Sequence, residues 1–414
     1  MEKIAASLLA TAGIACAQTY NYDSSSETLV ITGKGNTVAD RITPEEPITP
    51  GSTVPGTSEI FGDTKEIILK DVWTSPDSIR IKYVEPTSEG NNTTLKLENS
   101  RLGASGDFDK GGTGLILILD SQSRLDLFGN RLTNTIRIEN QGHISCSNST
   151  VRENSYLWDN KTTTGSSGVL GGSGYYRFGN VSSIETDKDF GLIKTSGQIT
   201  DLEISGIYNV DGNSAKTIGD DAYIVGVNTS SSSDGQAMTI SGSLTIEAKQ
   251  GTGIGILANQ LGSDDVSLKN DYSGQIYVTA KDAFGVKVGK NAAKDPSAAG
   301  DIYSLSVGGL DINNTITSGS TQGEATGIYA KSVKRDLTAD AITVEGYTSA
   351  TGIHLTEGGR NLTISDMQVS ARNATATGII AARGIDTPVP TAGKLENIRI
   401  DTVSYTHLTL PTIA

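Results

Sequence analysis

The chain has 414 residues, with 33 basic and 47 acidic side chains and a formal net charge of −14 at pH 7. This acidic balance argues against a nucleic-acid-binding protein, because nucleic-acid binding depends on clustered basic residues. Glycine is abundant, with 48 residues, and aromatic residues make up only 5%. This composition favours a β-rich surface protein over a helical enzyme.

The first residues predict an export signal. Lys3 provides a positive charge, residues 4–14 are apolar or small, and Ala15-Cys16-Ala17 forms a cleavage site that would leave Gln18 as the mature N-terminus. The apolar run is too short to span a bilayer. Two alternatives remain open, namely an amphipathic or core helix and a lipoprotein signal with Cys16 as the lipidated residue.

The chain has two cysteines, and the predicted cleavage after Ala17 removes the first of them. Cys146 would then have no partner for an internal disulfide. We interpret Cys146 as a small core residue rather than a nucleophile.

Residues 18–58 are predicted to form an irregular N-terminal segment or cap with one strand, residues 29–33, and a Pro-rich loop, residues 43–50, that cannot join a β-ladder. From Glu59 onwards short alternating segments predict strands, namely residues 66–70, 79–83, 94–97, 115–119, 125–127, 136–138, 190–193 and 202–204. The Gly/Ser/Thr-rich segment Ser155–Tyr176 is predicted to be a long protruding loop.

A short phrase, a glycine followed by an alternating apolar segment, recurs in the second half of the chain. Its glycines are Gly226, Gly255, Gly285, Gly327, Gly352 and Gly378. Self-similarity at this spacing indicates a repeat architecture. The one long step, from Gly285 to Gly327, is explained by a polar insertion at residues 289–300.

A second alternating phrase lies between these copies, as in residues 244–248, 341–344 and 362–364. A step of this length accommodates three short strands, laid out in one copy as residues 337–339, 341–344 and 352–355. The sequence therefore predicts an all-β fold, a single-chain right-handed parallel β-helix with three strands per turn over residues 59–402.

Alternation also predicts which side chains face the core. Ile328 and Ala330 should point inward and Tyr329 outward. The corresponding outward positions elsewhere are Leu257, Lys287, His354 and Ile380. The repeat glycines are expected where the chain turns a corner and needs a positive φ, or where two backbones approach closely.

The last residues, 403–414, break the repeat and resemble the translation of an adapter used in sequencing-library preparation. We therefore expect this tail to be non-native and the natural protein to continue beyond about Thr402.

The Ala-Thr-Gly-Ile phrases at residues 325–328, 350–353 and 376–379, with the interleaved Leu-Thr-Ile phrases, resemble the passenger domains of autotransporters. The resemblance implies an exported rod in a Gram-negative bacterium, displayed at the cell surface or released. Secretion would use a C-terminal outer-membrane β-barrel that this sequence does not contain. The partner would be an unknown surface ligand, a host glycan or protein or a neighbouring cell.

Catalytic motifs are scarce. Of the three histidines, His407 belongs to the unusual tail, His354 occupies an outward repeat position, and His143 lies near no Gly-x-Ser-x-Gly motif. A serine protease is therefore disfavoured. No metal-binding or cofactor-binding motif is found, and we expect neither a metal nor a cofactor.

A secreted polysaccharide lyase or glycoside hydrolase is the alternative function. It would need paired carboxylates or acids beside a basic residue. The pairs Asp220-Asp221 and Asp264-Asp265 are interpreted as solvated turn residues, since adjacent residues on a strand point to opposite faces. The favoured hypothesis is a structural or adhesive rod without catalytic chemistry that presents binding loops.

Overall fold

A computed structural model describes residues 19–402 with gaps, the larger of which are residues 33–65, 73–92, 106–114, 161–165, 231–235, 290–297, 315–322 and 387–397. The described part is all-β and contains no α-helix. Its strands pair almost entirely in parallel, each with the equivalent strand of the preceding and following copy. Three series of paired strands result.

The first series contains twelve strands or strand segments. They are β2 (Thr28–Thr32), β3 (Glu66–Lys70), β4 (Thr93–Glu98), β6 (Leu115–Leu119), β9 (Thr135–Asn140), β13 (Ser166–Gly171), β17 (Ile199–Ile204), β21 (Gln236–Ile240) and the first parts of β23 (Asn270–Val288), β24 (Asp301–Asn314), β26 (Ser332–Gly346) and β29 (Leu362–Ala371).

The second series begins at β5 (Arg101–Ser105) and ends at β32 (Ile398–Thr402). Between them lie β7 (Arg124–Phe128), β10 (His143–Ser147), β14 (Tyr175–Gly179), β18 (Ile207–Asp211), the first part of β22 (Ser243–Ala258), the middle of β23 and the last parts of β24, β26 and β29.

The third series consists of β8 (Leu132–Thr133), β12 (Ser155–Asn160), β16 (Asp189–Thr195), β20 (Tyr223–Thr229), the last parts of β22 and β23, β25 (Glu324–Ala330), β27 (Ser349–Leu355) and β30 (Thr375–Ala381). Short pairings add β11 (Thr150–Val151), β15 (Ser183–Ile184) and β19 (Thr217–Ile218), and β28 (Gly359–Arg360) with β31 (Ile385–Asp386).

The N-terminal end of the first series has a different arrangement. β1 (Thr19–Asp23) pairs antiparallel with β2, and β2 then pairs in parallel with β3. The parallel ladder therefore already includes residues 28–32, which the sequence places in the irregular cap. The Pro-rich loop lies outside the described residues.

All three series contribute to one hydrophobic core that extends from Leu29 to Ala371. Inward side chains lie in rows from strand to strand, as in Leu244, Ile276, Leu310, Ile342 and Met367. This packing follows from alternation, because side chains two residues apart on a strand share a face. The predictions that Ile328 and Ala330 are core residues are confirmed, since both are fully buried.

The prediction that Ser155–Tyr176 forms a protruding loop is wrong. This segment contains β12 and β13 and the start of β14, and Tyr156, Leu157 and Trp158 are fully buried. Its Gly/Ser/Thr composition suggests a loop, but β13 pairs on both sides, with β9 and β17. Pairing to two neighbours overrides the low strand propensity of the segment.

The repeat glycines lie inside strands of the third series and not at turns between strands. Among the residues that the structure describes, the glycines with a positive φ are Gly262 and Gly289, and no repeat glycine is one of them. The repeat glycines are needed because two backbones approach closely: a Cβ on Gly255 would lie 2.5 Å from the carbonyl oxygen of Gly285 and 2.6 Å from the Ile276 side chain. The same clash with the next repeat glycine recurs at Gly226, at 2.6 Å, and at Gly327, at 2.5 Å.

Each glycine also resets the alternation of its strand. Ile254 and Leu257 face away from the main core, whereas Ile256 belongs to it. Strict alternation would place Ile254 and Ile256 on the same face. The irregularity at Gly255 therefore lets Ile256 and Ala258 enter the core.

We predict that Gly327→Ala lowers the free energy of unfolding by about 2–3 kcal/mol, as for an overpacked site that cannot relax, because the new methyl group meets a backbone carbonyl rather than a flexible side chain. Chemical denaturation followed by circular dichroism measures this change. Gly179→Ala is the control, since its nearest atom is Asp211 Cβ at 3.3 Å. Equal stability of the two variants would contradict this account of the glycines.

Candidate functional site

The face of the third series that points away from the main core carries a second hydrophobic cluster, which we call the outer cluster. It consists of Tyr156, Tyr223, Val225, Ile254, Leu257, Phe284, Ala299 and Tyr329. Leu257, Lys287 and Tyr329 occupy the predicted outward positions, but they are buried, with 0%, 0% and 6% of their surface exposed. Their direction is as predicted, whereas exposure is found farther along, at Ile380, which is 36% exposed.

Lys287 is the most unusual member of this face. Its side chain is fully buried, and its Nζ lies 4.9 Å from the ring centre of Tyr223 and 4.8 Å from that of Phe284. An ammonium group over aromatic faces is attracted by the ring quadrupole, and the attraction strengthens when water is excluded. The two rings therefore help to hold a cation in a position where burial alone would be costly.

Two carboxylates lie at the other end of the same pair of strand segments, within reach of the charge of this lysine. Ala283 pairs with Ala325, so Asp282 and Glu324 stand in register at the start of their segments. The backbone N–H of Glu324 donates to Asp282 Oδ1 at 3.2 Å. The edge of the outer cluster thus contains two carboxylates and one ammonium group on two adjacent strands.

Burial raises the pKa of both carboxyl groups. At Asp282 the desolvation is opposed by the hydrogen bond from the Glu324 N–H and by the positive charges of Lys281 and Lys287. At Glu324 the desolvation is reinforced by the negative charge of Asp282 and opposed by Lys287. Burial also raises the pKa of Tyr329, and Glu324 adds to that shift. The two carboxyls can therefore exchange protons closer to neutrality than free carboxyls can, whereas the raised pKa of Tyr329 keeps its hydroxyl protonated there.

The sequence analysis missed Asp282 and Glu324 as a pair, although a signal was present. Each lies three residues before a repeat glycine, Gly285 and Gly327. Aligning the repeats on their glycines places the two acids next to each other, whereas reading along the chain separates them by 42 residues.

A polar group lies at the other end of the outer cluster. Asn228 Nδ2 donates to the Tyr156 hydroxyl at 2.7 Å and to Asp189 Oδ2 at 3.3 Å. All three side chains are buried. These bonds connect β12, β16 and β20 and satisfy polar atoms that would otherwise be costly to bury.

His143 lies on the outer face of the second series. Its ring is half-buried and packs on Tyr175 at 5.0 Å between centroids, and burial, helped by Arg124, lowers its pKa. Ser145 donates to Asp126 directly. In a serine-protease triad the histidine stands between the two, so these residues do not form a triad.

The remaining predicted residues take no part in a shared site. His354 is half-buried and packs edge-on against Tyr329 at 4.8 Å. Asp265 lies in an exposed turn, where it accepts hydrogen bonds from Ser267 that lower its pKa. Ala17, Gln18 and Asp220-Asp221 lie outside the described residues, as does the Cys146 side chain.

Within the ranges that the structure describes, no group of three or more His, Cys, Asp or Glu side chains is placed to hold a metal ion. No helix among these residues is long and apolar enough to cross a membrane. Comparison with known proteins found no matching family model, no matching curated protein and no matching solved structure.

We predict that Asp282→Asn/Glu324→Gln stabilises the protein at pH 7 relative to the wild type. Because the folded-state pKa of both groups is raised, their contribution to stability is present at acid pH and lost as the pH rises through the folded-state values. The advantage of the variant should therefore shrink as the pH falls from 7 towards 4. Thermal unfolding measured across this range tests the trend.

The control is Asp265→Asn, which should show the opposite sign. The lowered pKa of Asp265 means that the wild-type contribution is present near neutrality and lost on acidification. A double variant whose stability follows the wild type at every pH would rule out desolvated carboxylates at this site.

Proposed function

We propose that the chain is a right-handed parallel β-helix with three strands per turn that acts as an exported, non-catalytic rod. The observation that carries this proposal is the continuous register of equivalent strands from Thr28 to Thr402 around one core. Right-handed connection is the strong preference of parallel strands joined by a crossover. When turns stack, the strand edges form backbone hydrogen bonds that a single turn would leave unmade.

The rod is extended because each turn adds one strand spacing. Twelve strands in the first series at about 4.8 Å give a length of about 58 Å. Such a rod presents long outer faces to a partner, while the apolar side chains of its core stay buried. Adhesion, which needs reach and a repeated rigid surface, fits this geometry better than catalysis.

The proposal also includes a route by which the rod reaches the cell surface. The predicted signal before Gln18, the acidic charge and the Ala-Thr-Gly-Ile repeats are typical of autotransporter passengers. In that reading the rod is displayed on, or released from, a Gram-negative cell through an outer-membrane β-barrel, and binds a host glycan, a host protein or a neighbouring cell.

The proposal predicts that the purified chain scatters X-rays as a rod and that beads coated with it adhere to host or bacterial cells. Beads coated with the chain after heat unfolding are the control, because they carry the same charge without the folded faces. A compact scattering profile would contradict the rod, and equal retention of both bead types would contradict adhesion.

The pair Asp282 and Glu324 favours a second candidate, a secreted glycan-cleaving enzyme. Two carboxyl groups on adjacent strands are close enough for one to act as acid and the other as base or nucleophile, and raised pKa values suit a proton donor. Against this, Lys287, Phe284 and Tyr329 on the same two strands are buried, so beyond the exposed Glu324 the outer cluster offers little open surface for a polymer.

The two candidates are separated by an activity measurement. As a rod, the protein should release no reducing ends or unsaturated products from a panel of polysaccharides, at any pH from 4 to 8. Cleavage that disappears in both Asp282→Asn and Glu324→Gln, while Asp265→Asn retains it, would establish the enzyme instead.

A further inference from the structure

The outer face of the second series carries a polar strip between β7 and β18 that the outer cluster does not include. We call it the arginine–tyrosine strip. One row contains Arg124, His143, Tyr175 and Ile207, and the adjacent row contains Asp126, Ser145, Arg177 and Asn209. Their chain neighbours Leu125, Ile144, Tyr176 and Tyr208 lie in the core, so the strip faces away from it.

The arginines of the strip are both exposed and held in place. Arg124 Nε lies 2.7 Å from Asp126 Oδ2, and the other oxygen of this carboxylate accepts the Ser145 hydroxyl. Arg177 Nη2 lies 3.0 Å from Asp211 Oδ2. The arginine side chains are nevertheless 49% and 45% exposed. Planar guanidinium groups fixed in this way are well suited to bind carboxylates.

The strip carries no net negative charge, although the chain is acidic. Arg124 and Arg177 balance Asp126 and Asp211 within the strip, and Arg101 extends the arginine row onto the preceding strand β5, whereas the whole chain carries a net charge of −14. The arginines repeat along the direction in which strands stack. A row of cations along one axis matches the repeated charges of a linear polyanion better than it matches a ligand with a single terminal acid group.

The strip also contains a hydrogen-bond acceptor without a partner and exposed apolar surface. The Oδ1 atom of Asn209 is buried and has no hydrogen-bond partner among the described residues. Ile207 is 52% exposed, and the Tyr175 ring packs beside His143. Sugar rings present both hydroxyl donors and C–H surface, so they can satisfy an orphaned acceptor and cover apolar side chains together.

We propose that the arginine–tyrosine strip binds a linear acidic polysaccharide, a chain of sugars that carry carboxylates. The row from Arg124 to Ile207 crosses three strand spacings, about 14 Å, which is the length of a short oligosaccharide. Arg124 and Arg177 bind the carboxylates, and the Asn209 amide turns outward so that its oxygen accepts a sugar hydroxyl. This inference rests on the proposed adhesive function and names the chemistry of its ligand.

Isothermal titration of the full chain with a hexamer of β-1,4-linked mannuronic acid tests the proposal. The matched neutral ligand is β-1,4-linked mannohexaose, which differs by carrying a hydroxymethyl group in place of each carboxylate. We expect the acidic hexamer to bind at least tenfold more tightly and its affinity to fall as salt is added. Tyr175→Ala, Arg177→Gln and Asn209→Ala should each weaken binding, with Arg177→Gln at least tenfold weaker.

The control variant is Arg137→Gln. Arg137 is a 52% exposed arginine on the first series that forms an equivalent ion pair, with Glu139, and its loss should leave binding unchanged. Circular dichroism confirms that each variant retains its β-structure. Equal affinity for both hexamers, equal effects of Arg137→Gln and Arg177→Gln, or no binding at all would overturn the proposal.

Cell adhesion of protein-coated beads separates this inference from the proposed function. If Arg177→Gln abolishes binding of the acidic hexamer and adhesion together, both stand. If beads adhere equally with and without Arg177, the adhesive rod stands and the strip is not its ligand site. If the hexamer binds as predicted but beads do not adhere, the adhesive function fails and the binding site remains.

Discussion

The close, in-register approach of parallel backbones at the repeat glycines is the constraint on which the rest of the structure depends. A side chain at Gly255, Gly285 or Gly327 would collide with the carbonyl oxygen of the next glycine in the series. Only glycine therefore allows these strands to stack at the normal spacing while the alternation resets. Because the alternation is interrupted at the glycine, residues such as Ile256 and Ala258 face the common core.

Stacking has a second consequence, because residues far apart in sequence become neighbours on an outer face. Asp282 and Glu324 become neighbours in this way, and Arg124, His143 and Tyr175 form one row. In the first group Lys287 is covered by the rings of Tyr223 and Phe284, whereas Glu324 is exposed. The second group is open to solvent, so its charges are available to a partner.

The sequence predicted the direction of most side chains but not their environment. Alternation correctly assigned Ile328 and Ala330 to the core, since a strand has two faces and one of them is consistently apolar. It gave no warning that Leu257 and Lys287 are also buried, because period-two patterning does not show what covers the outer face. Tyr156 and Trp158 were missed as buried residues because their segment is rich in loop-forming residues. The acid pair required comparison between repeats, since proximity arises from register and not from chain distance.

The most direct test of the stacked, in-register account is a set of spin-label distances along one outer row. With Cys16 and Cys146 replaced by serine, a label at Gln368 is paired in turn with labels at Tyr277, Thr245 and Arg177, which lie three, four and six strands away in the same row. The account predicts separations of about 14, 19 and 29 Å, an increase of about 5 Å per strand. Distances that do not increase with strand number would contradict it.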